Sequence, residues 1–496
     1  MSEKLASDGE SVFAKSARGS AYNLAVSAIT IVLGLVRSIL LMRLLLPDEF
    51  GDVALAMFFM RFLTPFSAFG IDSALVQRPS PEREAFSTHF VLRMTLALAV
   101  LALGLVASPF LRRVYAEREV VVDVFLALLA VNAVAALFST PGTILRRNMR
   151  FGPLALLNLA ASLAMTVTAP LLAYLGAGLW SLVAEQAVGP AVRCIGIWFF
   201  LRPWRPSLRF NWDEAKSLVK FGWHIFSANV LGILLDRFDD FWTGTTLGST
   251  ALGYYSRAYE VAQYPNRILA TPITNVFLST YAALQGDKKG LSKAFFRSSS
   301  FLVRVGLLMA VVLTIVTPEV TLVLFGETWL PLVPIFRLML IYVILDPFYV
   351  NLSYLVIGAG RPEWLSRVRL MQVVLFVLAV VAGARFWGVN GVALAANLMM
   401  LSGTVALVVY SRRFLSFSLP RMFGWPAIAT AASAAMGYAL IQGVQWKGLW
   451  GGLVLKTLAV SMTFGVILYL AERHVIREYG AQILQPLWQR LRMRRS

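Results

Sequence analysis

The sequence runs to 496 residues, 58% hydrophobic and 14% charged, where soluble proteins carry about a quarter charged, so a soluble enzyme or binding module is excluded. A net charge of +19 points first to nucleic acid, but the basic residues fall in short loops between apolar runs, where they orient a membrane protein. One cysteine, Cys194, excludes an internal disulfide, and His89, His224 and His474 are too scattered for a metal site, so neither metal nor cofactor is expected.

Residues 1–20 are polar, lack a cleavage-site pattern, and read as a cytoplasmic lead-in to a retained helix. Runs of about 20 apolar residues then recur along the chain, which predicts an all-α polytopic membrane protein of about 14 transmembrane helices. The spans are expected at 22–46, 53–76, 90–110, 120–140, 154–175, 179–201, 221–243 and 254–282, then at 300–316, 331–356, 370–384, 389–410, 425–441 and 449–470. Alternate loops carry most of the basic residues: Arg78 and Arg83, then Arg146, Arg147 and Arg150, then Arg202, Arg205, Arg209 and Lys216. Lys288, Lys289 and Lys293, Arg361 and Arg367, and Arg412, Arg413 and Arg421 continue the set. The opposite loops hold Arg112, Arg113, Arg118, Arg385, Lys447 and little else, with Glu117 and Glu119 partly offsetting the first group. This asymmetry puts both termini in the cytoplasm of a bacterial inner membrane protein. In the tail, 472–496, Ile476, Ile483, Leu484, Leu487, Trp488 and Leu491 recur at helical spacing beside arginines, which suits a helix lying on an anionic leaflet as well as a merely solvated basic tail.

Several spans carry polar stripes in steps of three and four, the spacing of one helix face. The first has Ser20, Asn23, Ser27, Thr30, Gly34 and Arg37; the second, less regularly, has Arg61, Thr64, Ser67 and Asp72. The seventh has Asn229, Gly232, Asp236, Asp239 and Thr243, with Arg237 and Asp240 adjacent. The eighth has Arg257, Glu260, Tyr264, Arg267, Thr271 and Asn275. Charges at membrane depth cost about 2.5–3.5 kcal/mol each even on lenient scales, so these residues are the functional candidates. Arg43 and Arg304, near span ends, are expected to snorkel. Glu185, Arg193, Arg337, Asp346 and Lys456 are read as structural pairs or rim residues. Pro65, Gly70, Pro265 and Pro272 mark bends or tolerated kinks.

The first twelve spans repeat weakly. Leu45-x5-Gly51 matches Leu247-x5-Gly253, Pro109–Tyr115 matches Pro318–Phe325, Arg150 matches Arg361, and Gly178-Leu-Trp matches Gly391-Val-Ala, with offsets drifting from about 202 to about 213. Six spans per copy leave both copies facing the same way, the plan of parallel-repeat transporters. The expected organisation is an N-lobe at 21–203, an inter-lobe loop at 204–217, a C-lobe at 218–415, two further helices at 420–471 and the tail.

The segments Leu45-Leu-Pro-Asp-Glu-Phe-Gly51, Ile144-Leu-Arg-Arg-Asn-Met-Arg-Phe151, Gly253-Tyr-Tyr-Ser-Arg257, Leu324-Phe-Gly-Glu-Thr-Trp329 and Gly358-Ala-Gly-Arg361 resemble signatures of the Wzx-type oligosaccharide flippases. These belong to the multidrug/oligosaccharidyl-lipid/polysaccharide exporter superfamily, and the colanic-acid-exporter-like branch is the nearest in character. The resemblance implies a two-lobed, V-shaped bundle. It further implies flipping of polyprenyl-pyrophosphate-linked oligosaccharide repeat units by alternating access, for exopolysaccharide, O-antigen or capsule synthesis. The expected partners are this lipid-linked substrate, membrane lipids and the polymerase and export machinery, with no nucleic acid.

Helix geometry rather than a motif match places the site. The repeat makes the first two spans counterparts of the seventh and eighth, so their stripes are expected to meet at a common cavity. Arg37, Arg61, Arg257 and Arg267, with Asn23 and Tyr264, are the expected substrate contacts, since a guanidinium stays charged and binds phosphate oxygens bidentately. Asp72, Asp236, Arg237, Asp239, Asp240 and Glu260 are expected either to pair internally or to take a coupling proton or Na⁺. A cation-coupled drug antiporter fits less well, because the deep charges are mostly arginine; a lipid II flippase would share the cationic cavity. No P-loop is present and the outer loops are short, so neither an ATP-driven pump nor a membrane enzyme is expected.

Overall fold

The computed structural model describes residues 26–78, 83–443 and 448–493, giving the backbone alone at 268–269, 272, 275–276, 443 and beyond 473. Ser20 and Asn23 lie outside the described residues, as do the side chains of Asn275 and of the tail helix. The described residues contain helices and no strand.

The helices are α1 Val26–Leu44, α2 Pro47–Ala68, α3 Ile71–Gln77, α4 Arg83–Val114, α5 Glu119–Arg147, α6 Phe151–Tyr174, α7 Trp180–Ile195 and α8 Trp212–Thr246. There follow α9 Ser249–Pro265, α10 Thr271–Ala283, α11 Lys288–Val320, α12 Leu332–Leu338, α13 Leu340–Gly358, α14 Pro362–Ser411, α15 Leu419–Gly443 and α16 Leu449–Met493. Ten helical segments among the described residues are long and apolar enough to cross a membrane, which makes this a multi-span membrane protein. Helix occupies each of the fourteen expected positions. The expected eleventh and twelfth spans share α14, broken at Gly388 (φ 56°).

Local chemistry sets the starts. Pro47 opens α2, where a proline loses no intrahelical bond, and Glu49 reaches back to accept from the Leu46 N–H at 2.8 Å. Asn211 caps α8 by accepting from Asp213 and Glu214 N–H, and Asp287 caps α11 likewise. The Asn211 cap makes the seventh helix begin at Trp212, well before the span expected at 221–243.

The helices cluster into two compact units, Met1–Ser256 and Arg257–Ser496. In the first, α8, which the repeat assigns to the second copy, packs on α2 and α3. The chain between α2 and α3 turns through Phe69 (φ 44°) and Gly70 (φ 67°), and a Cβ at Gly222 of α8 would overlap the Phe69 carbonyl. The loop between α4 and α5, the exception to the basic-loop rule, is tied down. Arg112 pairs with Glu119 (3.3 Å) and Asp123, Arg118 donates to the Gly244 carbonyl (3.0 Å), and Tyr115 meets Thr245 (2.9 Å). Burial pushes the Tyr115 hydroxyl pKa upward. In the second unit, Phe295, Phe348 and Leu352 build the core around a buried knot in which Tyr281 donates to Asn351 (2.9 Å) and Asn351 donates to Ser298 and Ser299.

The repeat recurs as geometry. Gly51 packs against the backbone of Ser249, and Gly253 packs against the backbone of Pro47, a reciprocal contact of equivalent positions. A 3₁₀ turn follows the third span at Ala116–Arg118 and the ninth at Glu327–Trp329. Left-handed residues Met149 and Gly360 stand just before the matched arginines, Arg150 and Arg361, and Gly176 has its counterpart at Gly388.

Candidate functional site

The stripe on α1 faces open space. Ser27, Thr30 and Arg37 line a cavity of about 500 Å³ within the first unit, whose opposite wall is Asn158 and Ser162 of α6 and Arg193 of α7. The wall is hollow because α6 presents Ala155, Ala161 and Ser162 there, side chains too short to reach α1. Arg37 Nε donates to Glu185 Oε1 at 2.9 Å, which fixes the plane of its guanidinium. Its Nη1 is buried and has no protein partner. Arg193 lies 5.9 Å from the centre of the Phe138 ring, held partly by the quadrupole of that ring. Two guanidiniums against one carboxylate leave the cavity cationic, with a donor already oriented. That arrangement can hold an anion such as a phosphate oxygen without reorganising.

Glu185, Gly189 and Arg193 stand four residues apart on α7, so one face carries the pair to Arg37 and the second cation. The pairing expected for Glu185 is present. Arg193, Asn158 and Ser162 were missed as cavity residues; the i, i+4, i+8 spacing on α7 was the available signal.

The stripe on α8 ends differently. Asn229 and Asp236 are exposed, whereas Asp239 and Asp240 are buried. Tyr255 donates to Asp239 at 2.6 Å, the Asp240 N–H donates to Asp239 at 3.0 Å, and Arg237 pairs with Asp240 at 2.9 Å. Asp239 and Asp240 thus sit in an internal network, while the buried Thr243 hydroxyl, one turn on, has no protein partner.

Asp72, at the start of α3, meets His89 of α4 at 3.1 Å and accepts from Ser139 of α5; the other ring nitrogen of His89 lies 2.9 Å from Thr140. Arg93, one turn on, donates to the Ser67 carbonyl. His89 is thus a fully buried partner of Asp72. In the second unit Arg257 pairs with Glu260 at 2.5 Å and Arg267 donates to Gln263 at 2.6 Å. Arg61 on α2 and Tyr264 on α9 are both half-buried. Among the described residues no group of three His, Cys, Asp or Glu side chains is placed to hold a metal ion.

The family model described as polysaccharide biosynthesis protein matches residues 40–334. The chain is 27% identical over 450 residues to the succinoglycan biosynthesis transport protein ExoT of Rhizobium meliloti, covering 88% of this chain and 89% of that one. It is 22% identical over 441 residues to the lipopolysaccharide biosynthesis protein WzxC of Escherichia coli, covering 86% and 88%. Among solved structures, the lipid II flippase MurJ in an inward closed conformation matches with a TM-score of 0.76 at 13% identity, over 92% of this chain and 99% of that one. An inward-facing MATE-family multidrug transporter matches with a TM-score of 0.57 at 17% identity, over 83% and 98%. At such identities these two likenesses establish the fold alone.

Proposed function

The chain belongs to the polysaccharide biosynthesis protein family, and we propose that it flips polyprenyl-pyrophosphate-linked oligosaccharide repeat units across the bacterial inner membrane by alternating access. The part its relatives play in succinoglycan transport and lipopolysaccharide biosynthesis supports this cargo. The observation that carries the reading is the Arg37 cavity: a cationic hollow in a membrane unit, with a buried guanidinium nitrogen left for a ligand. Glu185 orients Arg37, Arg193 adds the second charge, and Asn158 and Ser162 complete the polar wall. The diphosphate docks there while the polyprenyl tail stays in the bilayer. The chain carries the repeat unit without remaking its bonds, crosses the membrane fourteen times, and keeps both termini in the cytoplasm, beside the enzymes that assemble the substrate. Arg61, Arg257, Arg267 and Tyr264 remain proposed contacts along the path.

Cells lacking the gene are expected to accumulate lipid-linked repeat units in the cytoplasmic leaflet and to lose surface polysaccharide. Normal surface polysaccharide with no accumulation would overturn the reading.

A further inference from the structure

A second cavity, of about 670 Å³, lies within the other unit between α11, α15 and α16. It sits at an end rich in cations, where α11 begins with Lys288 and Lys289 and Arg412 and Arg413 precede α15. The membrane-crossing part of α16 stops there too, at Arg473, after a break in helical geometry at Glu472. These features put the cavity at headgroup level.

Arg304 of α11 was expected to snorkel. Instead it clamps Glu472 bidentately at 2.7–2.9 Å and donates to the Ser300 carbonyl, so it is fixed in place. Glu472 is buried, and its charge is consumed by this clamp. Ser300 lines the same cavity with a buried hydroxyl that has no protein partner. Arg421 of α15 also lines it, exposed, and makes no ion pair or hydrogen bond among the described residues. Among the described residues, two cations and one carboxylate leave one net positive charge, with the Arg421 fork and the Ser300 hydroxyl as available donors.

Arg421, Trp425 and Ile428 follow one another at i, i+4 and i+7 along α15, spanning about 10 Å of helix. Trp425 is 50% and Ile428 53% exposed, and both line the cavity. Charge, then interfacial aromatic, then aliphatic side chain is the polarity profile of a phospholipid read from phosphate to acyl chain. A free phosphate would use the first of these and leave the other two without a role.

We propose that this cavity binds the headgroup of a monoanionic phospholipid, a phosphodiester held by Arg421 and Ser300 over the fixed Arg304–Glu472 clamp, with its acyl chains along Trp425 and Ile428. The lining's net positive charge matches the one charge of a phosphodiester, and the Trp425–Ile428 face gives the acyl chains a place to lie.

The test is lipid retention by the purified full chain, measured by native mass spectrometry after exposure to phosphatidylglycerol or to phosphatidylcholine with the same acyl chains. The parent chain is expected to retain phosphatidylglycerol selectively. Arg421→Ala is expected to weaken one phosphatidylglycerol site about tenfold, as loss of a charged hydrogen-bonding group does, and Arg421→Lys to keep most of it. Because Arg421 is exposed, the thermal midpoint of both variants in phosphatidylcholine should equal that of the parent. Equal retention of the two lipids, or undiminished phosphatidylglycerol binding by Arg421→Ala, would overturn the proposal. So would displacement of the lipid by millimolar inorganic phosphate, which would make it a free-anion site. None of these readouts depends on transport, so they stand or fall apart from the flippase reading.

Discussion

Helices α1 and α8 carry the same kind of polar stripe in the sequence, and the structure uses the two in opposite ways. On α1, Ser27, Thr30 and Arg37 look into a cavity across which α6 offers alanines and a serine. On α8, Asp239 and Asp240 are capped by Tyr255 and Arg237, and Gly244 is filled by the side chains of Leu252 and Leu55. Periodicity assigns residues to a face, but the size of what lies opposite decides whether that face lines a ligand site or closes on itself. Small partners leave room; a tyrosine at hydrogen-bonding distance does not.

The contrast is broken most severely at Asp239. Asp239→Ala removes the acceptor of the buried Tyr255 hydroxyl and one member of a closed charge network, and is expected to cost about 3 kcal/mol of stability. Asp239→Asn keeps an oxygen in place and should cost under about 1 kcal/mol. Unfolding midpoints in detergent measure both. If Asp239→Ala melts with the parent yet abolishes transport, the α8 stripe is a working site and the contrast fails.

Next in size is the packing of α8 itself. Gly222 lies against the Phe69 carbonyl, so Gly222→Ala must push α8 off the α2–α3 turn, at about 2 kcal/mol. The same unfolding assay reads it, and an unchanged midpoint would mean that α8 is less tightly seated than its contacts imply.

The α1 side is tested by function instead. Arg37→Ala is expected to lower transport at least about tenfold, the equivalent of about 1.4 kcal/mol, while still inserting. Glu185→Gln removes the competing anion and should leave transport intact or tighten the binding of an anionic head-group. A merely structural pair would respond otherwise, with both variants destabilised alike and neither selectively inactive. Flipping assays on reconstituted vesicles, read beside the unfolding midpoints, separate the two outcomes.

Much of this was legible in the chain and some was not, for physical reasons. Hydropathy located the helices because a bilayer demands about 20 apolar residues whatever packs beside them. The repeat was legible through turn residues: Gly51 and Gly253 are small because two backbones meet there, and Gly360 stands where Met149 adopts the same left-handed turn. Partners distant in sequence were not legible. Arg304 finds Glu472 across 168 positions, and nothing local to either residue announces the other. His89 stands far from the other histidines in the chain, yet Asp72, seventeen residues earlier on a separate helix, is its neighbour in space. Arg193 stands between these cases. Its spacing from Glu185 was readable, but its membership of the cavity depended on how short the α6 side chains are.

The smallest expected effect probes the emptiness of the α1 face directly. A Cβ at Gly34 would meet nothing within 4 Å, and glycine in a helix interior is about 1 kcal/mol worse than alanine. Gly34→Ala should therefore raise stability by about 0.5–1 kcal/mol. Transport then discriminates between two ways of using the cavity. If the head-group is held by the side chains of Arg37 and Arg193, one added methyl on α1 leaves flipping unchanged. If the variant is more stable but flips poorly, the cargo must press against the α1 backbone itself, and the stripe acts by being thin at Gly34 as much as by being charged at Arg37.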